Sequence, residues 1–541
     1  MFFTGGTPLS AERPTYQTQN WLVSKPHAEG KHGIVVSQSR DAAMAGAAIL
    51  EAGGNAADAA VAACFALAAV EPWNSGLGGV GFALVLQAGE KQAKVVDFGP
   101  IAPRRADPSD YPLTGAVKQD LFTWPEVEGD RNIHGPLSFC IPSAVAGYAK
   151  LKETFGTDMP VSDLLQPAIG LAKRGLPQDW YTTLKVASSA SVLRLYSESA
   201  RIYLPNGLPP VPPYQGVPGF FRLGGLQQTL ERLAASGLDD FYSGSIAADL
   251  AGDIAELGGV VDAQDLSGYR AAVRDAPGID WRGTHTVHTA GGLTAAPTLA
   301  QVIAGMTQAD LAGEQPGPEW FARLSRVMQD AYANRLEGLG ASDMATEPGD
   351  TCTTHLTVVD GEGNLVAVTT TLLSSMGSRV VLPSTGVLMN NGMMWFDPRP
   401  GSANAIKPGA RPLCNMCPVI VTPKDGSWPR MAAGASGGRR ILASIYQMLA
   451  FTLDFGLDLA DVAHLPRIDV SAPDGVNADR RLPDAVLSAL NETGPLSIVE
   501  HSVLPINFAC PNMIIVDQSG AVGCSDVISP WSAAIAADIA N

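Results

Sequence analysis

The segment Thr351-Cys352-Thr353-Thr354-His355-Leu356-Thr357-Val358-Val359-Asp360 marks a change of texture in a chain of 541 residues. Upstream of it, apolar residues recur mostly at helical spacing; downstream they alternate with Thr and polar residues in short runs cut by turns. His355 to Asp360, the turn Gly361-Glu362-Gly363-Asn364 and Leu365 to Leu372 read as a β-hairpin, because a Gly/Asn turn joins two alternating runs. A hairpin returns the chain to its starting end, which places Thr371 beside Thr353.

Upstream, Ser39 to Glu51 and Ala56 to Val70 form an Ala-rich helical hairpin broken at Gly53-Gly54-Asn55, with Ser39 as the candidate cap. A glycine loop, Asn74 to Phe82, and a strand over Ala83 to Ala88 follow. Gly76, Gly78 and Gly81 satisfy GxGxxG, but a helix precedes and a strand follows, the reverse of the dinucleotide-binding order. The loop therefore reads as a tight turn that another backbone or a substrate approaches closely. Further helices are expected over 144–155, 161–174, 225–236, 245–258 and 320–334, and a Pro/Gly-rich surface loop over 205–218. Downstream, 380–391, 418–423 and 429–434 extend the sheet, 440–455 forms a helix, and 512–516 with 521–524 make a closing hairpin. Helices first and a sheet afterwards leave two domains or one layered fold open.

Composition narrows the function classes. Acidic residues outnumber basic ones, 53 to 36, for a net charge of −17, and basic pairs such as Arg439-Arg440 and Arg480-Arg481 stand isolated, which argues against a nucleic-acid partner. Met1 to Gly30 has no sustained apolar core after a basic start, so no secretory signal is read and a cytoplasmic location is expected. Ala56 to Val70 contains Asp58 and is short for a bilayer span of roughly 20 residues, so a buried helix is expected and no membrane partner. The odd count of 7 cysteines fits reduced thiols better than a disulfide framework. Cys414 and Cys417 form a lone CxxC without a neighbouring His, and His285 and His288, three apart in a β-rich run, point to opposite faces. No metal or organic cofactor is implied.

Five motifs stand in order: Gly53-Gly-Asn-Ala-Ala-Asp-Ala-Ala60, Ser75-Gly-Leu-Gly-Gly-Val-Gly-Phe82, Thr353-Thr-His-Leu-Thr-Val-Val-Asp360, Arg411-Pro-Leu-Cys-Asn-Met-Cys-Pro418 and Gly434-Ala-Ser-Gly-Gly-Arg-Arg-Ile441. Together they resemble the γ-glutamyltransferase family of N-terminal-nucleophile hydrolases over most of the chain. The resemblance implies an α+β fold, a four-layer αββα sandwich, in a precursor that cuts itself before the first Thr of Thr-Thr-His. On this chain the cut falls between Cys352 and Thr353, leaving a large subunit 1–352 and a small catalytic subunit 353–541 that remain one fold. Thr353 then supplies the nucleophilic hydroxyl, and its freed α-amino group supplies the base. The plain alternative for Thr353 and Thr354 is that β-branched Thr opens a strand. The resemblance also makes Thr371 the support of the nucleophile. It makes Gly437 and Gly438 the oxyanion hole, in keeping with adjacent glycines just before a helix at Arg440.

The departures concern the substrate. Where the family holds a carboxylate with an Arg and two Ser, this chain has Gly99, Cys414 and Asn415. Where it holds an ammonium with an Asn and an Asp, this chain has Leu373 and Trp395. Asn391, which opens the Asn-Gly-Met-Met-Trp-Phe stretch, joins these five as a substrate-binding candidate. A γ-glutamyl zwitterion left without charged partners is costly to desolvate, so a different acyl group, uncharged or apolar, is expected. The expected activity is that of an amidohydrolase or acylase working through an acyl-enzyme. The short stretch after Phe396 further predicts an open site. A true γ-glutamyltransferase or glutathione hydrolase is the alternative, and an unprocessed, non-catalytic binding protein the second. The partners implied are a small-molecule amide substrate and the two subunits of one precursor, with a dimer of heterodimers left open.

Overall fold

The computed structural model describes residues 23–117, 124–309, 313–339, 352–471 and 475–538. Its two main sheets use β1 (Ala28–Gly30), β2 (Gly33–Ser37), β3 (Val80–Leu86), β4 (Lys94–Phe98), β5 (Ala272–Asp275), β6 (Gly278–Trp281), β7 (His285–Thr289), β8 (Cys352–Asp360), β9 (Leu365–Leu373), β10 (Val419–Pro423), β11 (Arg430–Ser436), β12 (Cys510–Val516), β13 (Ala521–Ser525) and β14 (Ala533–Ala536). The first sheet runs β14-β2-β8-β9-β3-β4-β5 and the second β1-β13-β12-β11-β10-β7-β6, each with 7 strands. Neighbouring strands in both are antiparallel.

The period-two alternation of each strand explains the layers. Ile34 and Val36 face the opposite sheet, whereas Val35 faces helices; likewise Leu365 and Ala367 point inward and Val366 and Val368 outward. In β11, Ala432 faces the first sheet while Met431, Ala433 and Ala435 face helices on the far side. The helices α1 (Arg40–Glu51), α2 (Ala56–Val70), α3 (Ala144–Phe155), α4 (Val161–Arg174) and α5 (Trp180–Leu193) cover the first sheet. The second is covered by α6 (Ala296–Met306), α7 (Pro318–Leu339) and α8 (Arg440–Leu453). The result is an αββα sandwich, one layered fold in place of two domains.

Helix α2 lies wholly inside, every residue buried, because its alanines let neighbouring backbones close in. Asn55 caps it by accepting from the N–H groups of Ala57 and Asp58, while Asp58 accepts from the Asn55 N–H. Ser39 stands at the N-cap of α1 but makes no side-chain cap bond, unlike the expectation. Other differences appear. Helices α5 and α6 are absent from the sequence reading, and α7 runs to Leu339, beyond the expected Asn334. The segment 380–391 is not a sheet strand: it makes only isolated bridges, Val381 with Leu388 and Gly78 with Met389, because Pro383 and left-handed Arg379 and Gly386 bend it. Among the described residues no helix is long and apolar enough to cross a membrane.

Candidate active site

Thr353 stands at an irregularity. The β8–β9 register pairs Cys352 with Leu373 and Thr354 with Thr370, so Thr371 and Leu372 of β9 together oppose Thr353, and the extra residue of this bulge belongs to β9. Thr371 lies on the returning strand, and the Thr353 hydroxyl donates to its Oγ1 at 3.2 Å. The Thr371 hydroxyl in turn donates to the Cys352 carbonyl oxygen at 2.6 Å, and the Leu373 N–H donates to Thr371 at 2.8 Å. An N–H can only donate and a carbonyl can only accept, so these contacts fix the direction of the Thr371 hydroxyl. One hydroxyl thus links the Thr353 side chain to the carbonyl of the residue before it.

The backbone is shaped to allow this array. A Cβ on Gly79 would lie 2.9 Å from the Thr371 carbonyl oxygen, and one on Gly81 2.4 Å from that of Thr369. The glycine loop is therefore where a neighbouring backbone comes close, as its sequence implied, and it steadies the end of β9. Leu373 adopts a φ of 87°, a left-handed conformation that a Leu resists. His355 is fully buried on Thr369 with burial lowering its pKa to about 3, so the His of Thr-Thr-His stays neutral and packs instead of acting as a base.

Thr353 is 5% exposed and opens onto a cavity of about 30 Å³ whose wall includes Gln38, Asn74, Lys185, Cys352, Ser436 and Gly437. That is room for ordered water but not for an acyl chain. The open site expected from the short stretch after Phe396 is therefore not present in the uncut chain. Gly437 and Gly438 sit between β11 and α8 with positive φ values of 133° and 60°; Gly437 borders the cavity and Gly438 is the next residue toward the helix N-terminus.

Behind the cavity lies a buried polar set that the sequence did not announce. The Gln38 amide donates to the Ser436 hydroxyl at 2.6 Å, and the Asn74 amide donates to Glu71 at 2.7 Å. Burial pushes the Glu71 carboxyl up to about 7, opposed by the Thr354 and Asn74 side chains and by the positive charge of Lys185. Lys185 is the one charged side chain among the described residues lining the cavity. It comes from α5, whose Ser- and Thr-rich sequence gives no helical signal, and Glu71 reads in sequence only as the end of an apolar run.

None of the six substrate-binding candidates lines the Thr353 cavity. Leu373, Trp395 and Cys414 share an inter-sheet apolar cluster with Phe82 and Met394. Gly99 joins them: a Cβ there would lie 2.5 Å from the Phe82 ring, so no longer side chain fits. Asn391 is spent internally, donating to the Ile133 carbonyl and the Ser374 hydroxyl and accepting from the Ser374 N–H. Asn415 accepts from the buried Arg335 at 3.3 Å. Beside Gly99, a second pocket of about 350 Å³ is lined by Asp97, Arg274, Arg411 and Cys414, and it shares no lining residue with the Thr353 cavity. All seven cysteines are buried and none forms a disulfide, and no group of three or more His, Cys, Asp or Glu among the described residues is placed to hold a metal ion.

A buried Thr353–Thr371 hydroxyl pair at the start of a central strand, inside an αββα sandwich, is an architecture of the N-terminal-nucleophile hydrolase type. The γ-glutamyltranspeptidase family model matches residues 42–348 and 340–536, so the chain belongs to that family. It is 30% identical over 523 residues to the acylase ACY 1 proenzyme of Pseudomonas sp. (strain V22), covering 90% of this chain and 91% of that protein. It is 28% identical over 515 residues to the glutathione hydrolase proenzyme of Escherichia coli (strain K12), covering 86% and 85% respectively. The crystal structure of cephalosporin acylase from Bacillus halodurans superposes with a TM-score of 0.80 at 23% identity, over 97% of this chain and 99% of that one, which shows a common fold.

Proposed function

We propose that the chain is a self-processing threonine acylase in which Thr353 attacks first its own Cys352 carbonyl and later the carbonyl of a small acyl-amide. The observation that carries this reading is the Thr371 hydroxyl, 3.2 Å from that of Thr353 and 2.6 Å from the Cys352 carbonyl oxygen. In the first step the Thr353 oxygen bonds to the Cys352 carbonyl carbon while Thr371 stabilises the oxyanion. As the C–N bond breaks, the hydroxyl proton ends on the departing Thr353 nitrogen, and water hydrolyses the resulting ester. The freed amine then serves as base and acid in the second reaction, and the N–H groups of Gly437 and Gly438 hold the oxyanion. The products are 1–352 and 353–541, and the proenzyme relatives support such processing. Cutting at Cys352 also removes part of the wall of a cavity that is too small for substrate. The buried cysteines, none in a disulfide, support a reducing, cytoplasmic compartment.

The apolar setting of Leu373 and Trp395 and the lack of room at Gly99 favour an acyl group other than γ-glutamyl, in line with the acylase relatives. One observation favours the second reading, a γ-glutamyl enzyme with a rebuilt clamp: Asp97, Arg274 and Arg411 around the neighbouring pocket carry both charges a zwitterion needs. Mass spectrometry tests the first claim. Wild type yields two fragments meeting at Cys352/Thr353 and Thr353→Ala stays whole; a different junction sinks the assignment. Comparing γ-glutamyl-anilide with butyryl-anilide tests the second, since preference for the γ-glutamyl compound selects the rebuilt clamp.

A further inference from the structure

In the uncut chain the Thr353 nitrogen is an amide. Cutting creates an α-amine there, and as a base that amine must be neutral, although an ordinary α-amine titrates at about 7.7–8.0 and is mostly protonated at pH 7. The cavity that receives it already holds a cation. Lys185 is 8% exposed, lines the cavity together with Thr353, and rests its ammonium 5.3 Å from the centroid of the Tyr181 ring.

The groups around this pair of nitrogens come from four elements: Glu71 at the end of α2, Tyr181 and Lys185 on α5, Cys352 on β8 and Cys510 on β12. Burial pushes Tyr181 up to about 12 and raises Cys510 as well, so neither ionises near neutral pH. Glu71, raised to about 7 by burial, is the acid whose charge favours protonated amines nearby. Two ammonium groups in one buried cavity repel, so one must give up its proton. The aromatic face of Tyr181 and the Glu71 carboxylate both lie beside Lys185 and attract positive charge there.

We propose that Lys185 is a positioning residue for catalysis: its buried positive charge keeps the Thr353 α-amine unprotonated, and so available as base, at neutral pH. Glu71 acts in the opposite sense on the same amine. The proposal rests on the reading of Thr353 as an N-terminal nucleophile given above.

Cyanate carbamylates only the neutral form of an amine, so its rate at Thr353, read as the mass gain of the small fragment across a pH series, reports the titration of that amine directly. Removing the cation in Lys185→Met is expected to move the midpoint up by about one pH unit, leaving about tenfold less neutral amine well below it. Lys185→Arg keeps the wild-type midpoint, and Glu71→Gln moves it down. The acid limb of anilide hydrolysis shifts in the same directions. One shared midpoint for wild type, Lys185→Met and Glu71→Gln overturns the proposal while leaving the cut at Cys352/Thr353 standing. Absence of that cut overturns the reading beneath it instead. If Lys185→Met does not fold, a Glu71→Gln midpoint that stays put or rises is sufficient to overturn the proposal.

Discussion

Thr371 concentrates three hydrogen bonds in one hydroxyl, and its partners are the Thr353 hydroxyl, the Cys352 carbonyl oxygen and the N–H of Leu373, a residue of strained backbone. Thr371→Val removes the donor to the Cys352 carbonyl while nearly keeping the shape. Loss of one oxyanion donor costs about 10²–10³ in rate, so self-cleavage should slow by about that factor, followed as the intact band on a denaturing gel over time. Thr371→Ser keeps the hydroxyl and should stay within about tenfold of wild type, a far smaller loss than the donor deletion produces. A Val variant as fast as wild type would remove Thr371 from the reaction. Leu373 holds its left-handed φ of 87° at a cost of order 1–2 kcal/mol, where an Asn would sit more easily. Backbone strain is thus stored on the returning strand, directly opposite Cys352.

At the scale of elements, β8 and β11 pack face to face, and His355 on Gly434 marks a close approach between them. A Cβ on Gly434 would lie 2.1 Å from Cε1 of the His355 ring, so the ring lies directly on the β11 backbone. Gly434→Ala should lower stability by about 1–3 kcal/mol, seen in the denaturation midpoint, because neither a strand nor a fully buried ring can yield. The same ring gives a pH dependence. Its pKa falls from 6.5 to about 3 by burial, so the unfolded chain binds a proton first. Its contribution is complete above about 6.5 and is lost as the pH falls from there toward 3, so stability should drop across that window and drop less steeply in His355→Gln. The β8–β9 hairpin, α2 and the glycine loop were legible because period and turn chemistry act locally. The bulge opposite Thr353 and the φ of Leu373 were not, since partners far along the chain impose them. Helix α5 escaped notice because Thr182, Thr183, Ser188, Ser189 and Ser191 weaken local propensity, and packing of Tyr181, Val186, Ala190 and Leu193 makes up the difference. Lys185 was hidden with it.

Across the whole molecule, segments before and after residue 352 alternate in both sheets. In the first, β2 lies between β14 and β8, and β9 pairs with β3; in the second, β1 pairs with β13, and β10 with β7. Cut as proposed between Cys352 and Thr353, the chain would give fragments 1–352 and 353–541 that share strand ladders within a common core. They should co-elute as one particle in native buffer, separate only in denaturant, and lose structure in a single transition. Fragments that part in native buffer would contradict this pairing.

That interleaving gives the molecule a one-way history. The array at Thr371 exists only once β8 and β9 have paired, so folding must be finished before the chain can be cut. Until then unfolding is forgiven, because one continuous chain can find its way back at a rate independent of concentration. Afterwards an unfolded copy is two pieces that must meet again, and dilution alone can prevent it. The working lifetime of the processed protein is then set by its first complete unfolding, a limit on durability that the uncut precursor does not share.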